Sequence, residues 1–241
     1  MIEAAINKIL GLAEPKALIF DGLKYTNQQL RPVLDPIPVS LKVETLTGMM
    51  DYIKANRDGI NLSKCVLIID DYKVVRLIGA VEGAFKQRSV FIGAHCDRDF
   101  QHFGSYLDIE AFIIWLQANF LDAGDRSKVL ALVGNIQDGQ VSTFADDGVT
   151  QGVTVKAGIT KVANVSVPNP VSLTPYRTFI DAVQPPSDFV FRLKSGAGSE
   201  QPKAALFEAD GGKWKSDAVQ NIKTYLVDEL ARIQADIPVI A

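Results

Sequence analysis

The chain changes its hydrophobic pattern near residue 138. In the first part, apolar residues recur at the spacing of an amphipathic helix, as they do between Ile109 and Phe120. In the second part, short alternating stretches are separated by Gly, Pro, Asn and Ser, which is typical of antiparallel strands joined by turns. The pattern predicts an α+β fold, with a mixed helix-and-strand half over residues 1–138 and an antiparallel β-rich half over residues 139–241 that a helix closes. Because no linker rich in Gly, Ser or Pro separates the halves, they can also belong to one domain.

Helices are predicted where apolar residues form one stripe and a suitable capping residue precedes them. The N-terminal helix is amphipathic, with Ile2, Ile6 and Ile9 on one side. The predicted helices are this first one, which stops at Gly11, one from Thr45 or Thr47 to about Asn56, one from Asp108 to Phe120, one from about Asp125 to Ile136, and one that begins at Ser216.

Strands are predicted at short apolar or alternating runs bounded by turn residues. Alternate side chains of a strand face opposite sides of the sheet, so Phe189 and Phe191 should share one face while Arg192 lies on the other. The predicted strands cover residues 17–20, 65–69, 74–81 and 88–92 in the first half, residues 153–155, 162–167, 178–183, 189–193 and 204–207 in the second half, and residues 237–240 at a sheet edge.

Short segments spread over most of the chain resemble those of a family of uncharacterised phage and prophage proteins. They read LKVE from Leu41, MMDYIKAN from Met49, DDGVTQ from Asp146, VPNP from Val167 and PYRTF from Pro175. The order of elements is also similar, more distantly, to that of the prophage YfdQ-like proteins, and the first 40 residues fall outside the resemblance. The resemblance implies a soluble protein encoded by a phage, and it supplies no catalytic residues.

Composition is that of an ordinary globular protein, since 47% of the 241 residues are hydrophobic and 22% are charged. A net charge of −3 gives no general attraction to nucleic acid or anionic lipid, which bind clustered Lys and Arg. Charges interrupt every apolar run before the ~20 residues that a membrane-spanning helix needs, so no membrane partner is expected. The start of the chain lacks a secretory signal pattern, which predicts a cytoplasmic protein of a bacterial host with Cys65 and Cys96 as buried thiols.

Two polar clusters invite a catalytic or metal-binding interpretation, and the sequence favours a structural one for both. The stretch from His95 to His102 holds both histidines, but no second cluster supplies the other ligands of a zinc site, so a solvated loop is expected. Glu208, Asp210 and Lys213 resemble the acid, acid, lysine sets of metal-dependent nucleases, yet Asp210 begins an Asp-Gly-Gly turn. The sequence contains no phosphate-binding loop, dinucleotide fingerprint or nucleophile elbow. We therefore expect no metal, no cofactor and no catalytic residues, which favours a non-enzymatic protein.

Arginine and aromatic residues on neighbouring β segments form the remaining candidate site. Aromatic faces stack on bases, and an arginine fork binds phosphate or carboxylate. Because arginine is rarely buried alone, each arginine must reach solvent, face an anionic ligand, or pair with an acid such as Asp181, Asp188 or Glu208. Between residues 171 and 215, six basic side chains stand against five acidic ones, which disfavours duplex DNA and favours a small anionic ligand or a host protein. The candidate ligand-binding residues are Tyr176, Arg177, Arg192 and Trp214.

These patterns favour a phage accessory protein that acts by binding. In this interpretation the protein forms a homo-oligomer through its N-terminal helix and terminal strand, and it binds a host factor or a small phosphorylated ligand to counter a host defence. A nucleic-acid-handling protein of phage replication or recombination is an alternative that the arginine and aromatic strands allow. A virion component is a second alternative, which the β-rich half favours.

Overall fold

A computed structural model describes most of the chain. By its internal contacts the chain divides into a smaller unit, Met1–Ile37 with Val81–Gln87, and a larger unit, Pro38–Ala80 with Arg88–Ala241. The described residues are 2–13, 16–20, 23–26, 37–83, 86–98, 102–138, 140–146, 151–157, 160–167, 169–194 and 202–241.

Helices and strands both occur before residue 138, and strands dominate from there to residue 208, so the protein has the predicted α+β fold. None of the helices in the described ranges combines the length and apolar character needed to cross a bilayer. The helices are α1 (Ile2–Ala13), α2 (Leu46–Ala55), α3 (Ile109–Asn119), α4 (Arg126–Asp138) and α5 (Lys213–Arg232). The strands are β1 (Ala17–Phe20), β2 (Leu23–Thr26), β3 (Leu41–Val43), β4 (Val66–Asp71), β5 (Val74–Glu82), β6 (Gln87–His95), β7 (Leu107–Asp108), β8 (Gln140–Asp146), β9 (Gln151–Ala157), β10 (Thr160–Val167), β11 (Val171–Leu173), β12 (Ser187–Lys194), β13 (Lys203–Glu208) and β14 (Val239–Ile240).

The smaller unit contains α1 and an antiparallel hairpin of β1 and β2. α1 continues through Gly11 instead of stopping there, because one glycine costs a helix only about 1 kcal/mol. The apolar side chains Ile2, Ile6 and Ile9 are exposed in the described structure. The amphipathic stripe predicted from the sequence therefore lies on the surface.

A mixed sheet in the order β14-β4-β5-β6-β3 forms one layer of the larger unit. β14 runs parallel to β4 at the predicted edge, β3 runs parallel to β6, and β4 pairs with β5 in antiparallel fashion. Helices α2 and α5 pack against this sheet and bury side chains such as Leu67 and Leu77. Thr45, one of the two residues predicted to cap α2, does so by accepting the Gly48 N–H. Cys65 and Cys96 are buried as free thiols, as predicted.

A second sheet of the larger unit, in the order β11-β12-β13-β7, is antiparallel throughout. Helices α3 and α4 pack together and build a second hydrophobic core with this sheet. Phe189, Phe191 and Leu193 are buried in that core, while Arg192 alternates with them and is half-buried, which confirms the predicted facing of β12. A third antiparallel sheet, in the order β10-β9-β8, spans Gln140 to Val167.

The closing helix α5 packs on the five-stranded sheet, whose strands come mainly from the first half of the chain. Phe179 and Ala182, from the second half, belong to the same core. Each of the two cores therefore draws residues from both sides of residue 138, and the domain boundary there stays a prediction.

The predicted strand over residues 178–183 is wrong, because this segment is a loop with a turn. Gln184 satisfies the backbone groups that a neighbouring strand would otherwise bind: its Oε1 accepts the N–H groups of Arg177 and Thr178 at 3.0 and 3.3 Å, and its Nε2 donates to two carbonyls of the loop. The Asp181 carboxylate accepts two backbone N–H groups at the start of α2, which anchors the loop to that helix.

The predicted cap of the closing helix is also wrong, because α5 begins at Lys213 rather than at Ser216. The Asp210 carboxylate caps the helix by accepting the N–H groups of Gly212 and Trp214 at 3.0 and 3.3 Å. The Asp-Gly-Gly turn predicted here is confirmed, and it brings the carboxylate back to the helix start.

Candidate functional site

A pocket of about 260 Å³ lies where loops of the two larger sheets meet the start of α5. Its walls come from the β4–β5 turn, the loop after β6, the loop before β7, the 174–186 loop, the end of β13 and the first turn of α5. We call it the Arg177 pocket, and it is lined by Tyr72, Lys73, Arg98, Phe103, Arg177, Glu208, Trp214 and Lys215.

Arg177 is the most deeply buried charged side chain of the lining, with 3% of its surface exposed. Its Nη1 donates to Glu208 Oε1 at 2.5 Å, and its Nη2 donates to Ser187 Oγ. The Glu208 side chain is 45% exposed, so the ion pair joins a fixed arginine to a carboxylate that reaches solvent. Of the three acids considered from the sequence, Glu208 is the one that pairs with this arginine.

Ser187 links the Asp210 carboxylate to Arg177 through hydrogen bonds. The Ser187 hydroxyl, which accepts from Arg177, is also hydrogen-bonded to the Asp210 carboxylate. Burial acts to raise the pKa of Asp210, but the Gly212 N–H, Ser187 and the Trp214 N–H hold it below its usual value. Asp210 is therefore ionised at neutral pH, where it caps α5 and orients the arginine fork.

Three aromatic rings surround the Arg177 guanidinium. Its Cζ lies 4.0 Å from the ring centroid of Trp214, 5.3 Å from that of Phe189 and 5.5 Å from that of Phe103. The ring of Tyr72 meets Trp214 edge-on, with 4.7 Å between centroids. Such cation–π contacts attract the guanidinium without neutralising its charge.

Burial lowers the pKa of Arg177 to about 10, while the carboxylates of Glu208 and Asp210 act in the opposite direction. The guanidinium stays charged at neutral pH because these anionic neighbours offset part of its desolvation. An anion bound in the pocket would stabilise the same charge further.

Positive charge dominates the pocket lining. Lys73, Arg98 and Lys215 stand with Arg177 around one cavity, and Glu208 is the acidic member of the lining. A concave surface that carries one sign of charge concentrates ions of the opposite sign. The lining is therefore suited to an anion.

Two buried N–H groups of the lining residues have no hydrogen-bond partner among the described residues, namely Arg177 Nε and Trp214 Nε1. An unsatisfied buried donor costs about 1–3 kcal/mol, and native proteins rarely keep one without an ion, water or ligand nearby. Their coincidence with the basic lining marks this pocket as the candidate binding site.

The structure brings together part of the site predicted from the sequence. Arg177 and Trp214 meet in the pocket, and Tyr176 lies beside it with its ring centroid 5.8 Å from Cζ of the lining residue Arg98. Arg192 stands on β12 and is not part of the lining. Ligand binding by these residues stays a prediction.

Sequence reasoning missed the lining residues that the first half supplies, together with Lys215. Tyr72 and Lys73 occupy a turn between two strands, and Arg98 follows the end of β6. For Lys73 and Arg98, the sequence signal is a basic residue close to a strand end. Nothing local shows that these turns meet the 174–186 loop, because the contacts are made by distant segments.

In the second polar cluster considered as a metal site, Glu208 and Lys213 form ion pairs with other side chains. Glu208 binds Arg177, and Lys213 pairs with Asp217 at 3.3 Å on α5. No group of three or more potential metal ligands converges within the described ranges. Residues 99–101, inside the histidine-containing stretch, lie outside those ranges.

Comparisons of the chain with protein-family models, with curated proteins and with solved structures give no match. The resemblance to phage proteins therefore stays a prediction.

Proposed function

We propose that this protein is a phage-encoded accessory protein that binds a small phosphorylated ligand in the Arg177 pocket and is not an enzyme. The observation that carries the proposal is the meeting of four basic side chains with two buried N–H groups that lack partners among the described residues. Arginine forks and ammonium groups together are the usual protein ligands of phosphate. The phage origin rests on the sequence resemblance.

The proposal includes self-association and a role against a host defence. Ile2, Ile6 and Ile9 of α1 form an exposed apolar stripe that a second copy can cover. A protein that binds a ligand without catalysis can only lower the concentration of free ligand. It would therefore counter a phosphorylated host signal by sequestering it. A host protein is the other partner that the proposal allows.

Tryptophan fluorescence gives a direct binding test, because the chain has two tryptophans and only one of them lines the pocket. Trp115, a residue of α3, packs in the core that α3 and α4 build with the second sheet, and it can be replaced by phenylalanine to isolate the signal of Trp214. Inorganic phosphate, pyrophosphate and a single-stranded oligonucleotide serve as probes. We expect a saturable change in Trp214 emission with the first two.

Lys215→Gln should weaken phosphate binding by about threefold to tenfold, since one nearby charge in a partly solvated site contributes on the order of 1 kcal/mol. Lys213→Gln is the matched control, because it removes the same charge from the same helical turn at a residue outside the lining. Titration of both variants by fluorescence measures the difference.

The outcomes separate the candidate functions. No saturable response to phosphate or pyrophosphate would contradict the proposed function. Equal weakening by Lys215→Gln and Lys213→Gln would show that net charge holds the anion rather than the pocket. Tighter binding of the oligonucleotide than of pyrophosphate would favour the nucleic-acid alternative.

A further inference from the structure

Other side chains of the Arg177 pocket already cover the Trp214 ring. The Arg177 guanidinium covers the Trp214 ring at 4.0 Å, and Tyr72 meets that ring edge-on. With 5% of Trp214 exposed, its ring offers no open face on which a base could stack. Trp214 therefore gives a ligand no stacking surface, and the charged side chains of the lining are the groups left to recognise it.

Glu208 holds the place on Arg177 that an anionic ligand needs. The guanidinium is fixed by Ser187 and is almost fully buried, whereas the Glu208 carboxylate is nearly half exposed at the end of β13. Turning Glu208 outward would place its carboxylate fully in water, but would leave Arg177 with a buried charge facing the cavity. The site can therefore exchange its internal anion for an external one.

The size and charge of the cavity suit a compact dianion. Its volume of about 260 Å³ lies below the roughly 300–1,000 Å³ usual for pockets that hold drug-sized ligands. Arg98 and Lys215 line the same space as Arg177, so a group with two negative charges can bind more than one basic side chain there.

We infer that the ligand is a phosphate dianion, either inorganic phosphate or the phosphate group of a small phosphomonoester, and that it displaces Glu208 from Arg177. A nucleobase contributes nothing to this recognition. This inference rests on the proposed function and adds the ligand class and the role of Glu208 as an internal competitor.

Glu208→Gln removes the competing charge while preserving the shape of the side chain. We expect it to bind inorganic phosphate several-fold more tightly than the unmodified protein, measured by calorimetry at neutral pH. Glu229→Gln is the matched control, since it removes one carboxylate from an ion pair with Arg232 on α5, outside the lining. It should bind phosphate as the unmodified protein does.

Four ligands distinguish the source of the phosphate. Inorganic phosphate and glycerol phosphate are expected to bind, AMP to bind no more tightly than glycerol phosphate, and adenosine not to bind. Binding of adenosine, or much tighter binding of AMP, would overturn the inference because a base would then be recognised.

Thermal melting shows whether the Glu208 variant is folded, so that a folding defect is not mistaken for a change in binding. Glu208→Gln should melt at a lower temperature without phosphate, because Arg177 loses its carboxylate, and phosphate should raise its melting temperature more than that of the unmodified protein. If this variant does not fold, Glu208→Asp keeps the charge but withdraws it from Arg177, and it too should bind phosphate more tightly.

Unchanged or weaker phosphate binding by the Glu208 variants, beside measurable binding by the unmodified protein, would overturn the displacement and leave the proposed function standing. Absence of phosphate and phosphomonoester binding in the unmodified protein and in the Glu208 and Glu229 variants would instead contradict the proposed function itself.

Discussion

At the scale of single residues, Gly124 shows how closely two backbone segments approach. It has a φ of +61°, and a Cβ added to it would lie 2.4 Å from the carbonyl oxygen of Ser172. The same carbonyl accepts the Asp125 N–H at 2.9 Å. Glycine is required at this position for two reasons: the backbone is left-handed, and the Ser172 carbonyl leaves no room for a Cβ.

Gly124→Ala should lower the free energy of unfolding by at least about 2 kcal/mol, because the left-handed conformation is costly for alanine and the backbone of β11 would have to move. Gly134→Ala in α4 is the control, since no atom lies within 4 Å of its added Cβ and a helix gains about 0.5–1 kcal/mol from the change. Urea unfolding of both variants gives the comparison. Similar stability of the two would refute the close approach of Gly124 and Ser172.

At the scale of elements, the start of α4 is joined to β11 by one carboxylate. Asp125 accepts the Ser172 N–H at 3.0 Å and the Lys128 ammonium at 2.8 Å. Lys128 first, and then the Ser172 N–H, hold the pKa of Asp125 below its usual value against the effect of burial. The carboxylate therefore stabilises the fold only in its ionised form.

Asp125→Asn should cost about 1 kcal/mol at pH 7, since the amide keeps one acceptor but loses the charge. The folded-state pKa lies below the unfolded value of about 3.9, so this stabilisation is present above pH ~4 and is lost as the pH falls through the lowered pKa. The difference between variant and unmodified protein should shrink accordingly in denaturant melts from pH 7 to pH 2. Asp122→Asn, at a mostly exposed partner of Arg126, should change stability by less than about 0.5 kcal/mol. A pH-independent difference for Asp125→Asn would contradict the role of its charge.

Elements with a strong local pattern could be predicted from the sequence. α3 begins after Asp108 where the apolar stripe starts, although the Asp108 side chain makes no capping hydrogen bond, and β12 was placed because Phe189, Phe191 and Leu193 recur at every second position. β11 was missed because three residues are too short to show alternation, and its pairing partner is β12. β2, β3, β7 and β8 were missed as well.

Residues 178–183 failed for the opposite reason, since their apolar and β-branched side chains satisfy the strand pattern while the Gln184 side chain binds the backbone instead. The candidate site divides in the same way. Arg177 and Trp214 could be chosen from local chemistry, because a buried arginine needs a partner. Lys73 and Arg98 could not, because their place beside Arg177 depends on how distant turns pack.

At the scale of the whole molecule, local and total charge differ in sign. The chain carries a net charge of −3, while the Arg177 pocket presents four basic side chains and one acidic one. A long polyanion would meet the negative total charge over most of its length, whereas a compact anion meets only the pocket. The charge distribution thus favours a small ligand over duplex DNA.

Self-association is the prediction that concerns the molecule as a whole. A 12-residue helix and a two-stranded hairpin are each marginal on their own in water, so the smaller unit depends on burying apolar surface. Its stripe of Ile2, Ile6 and Ile9 is exposed in the described structure, and a second copy supplies an identical stripe.

Ile6→Lys should shift the protein toward the monomer, because a charge in the centre of an apolar contact must be desolvated. Light scattering at micromolar concentration should give a mass above 26.3 kDa for the unmodified protein and a mass close to that value for the variant. Asn7→Lys adds the same charge to the next position of α1, off the stripe, and should leave the mass unchanged, which separates a specific contact from general repulsion. A monomeric mass for the unmodified protein across the micromolar range would exclude self-association, and equal dissociation by both variants would place the contact elsewhere on the helix.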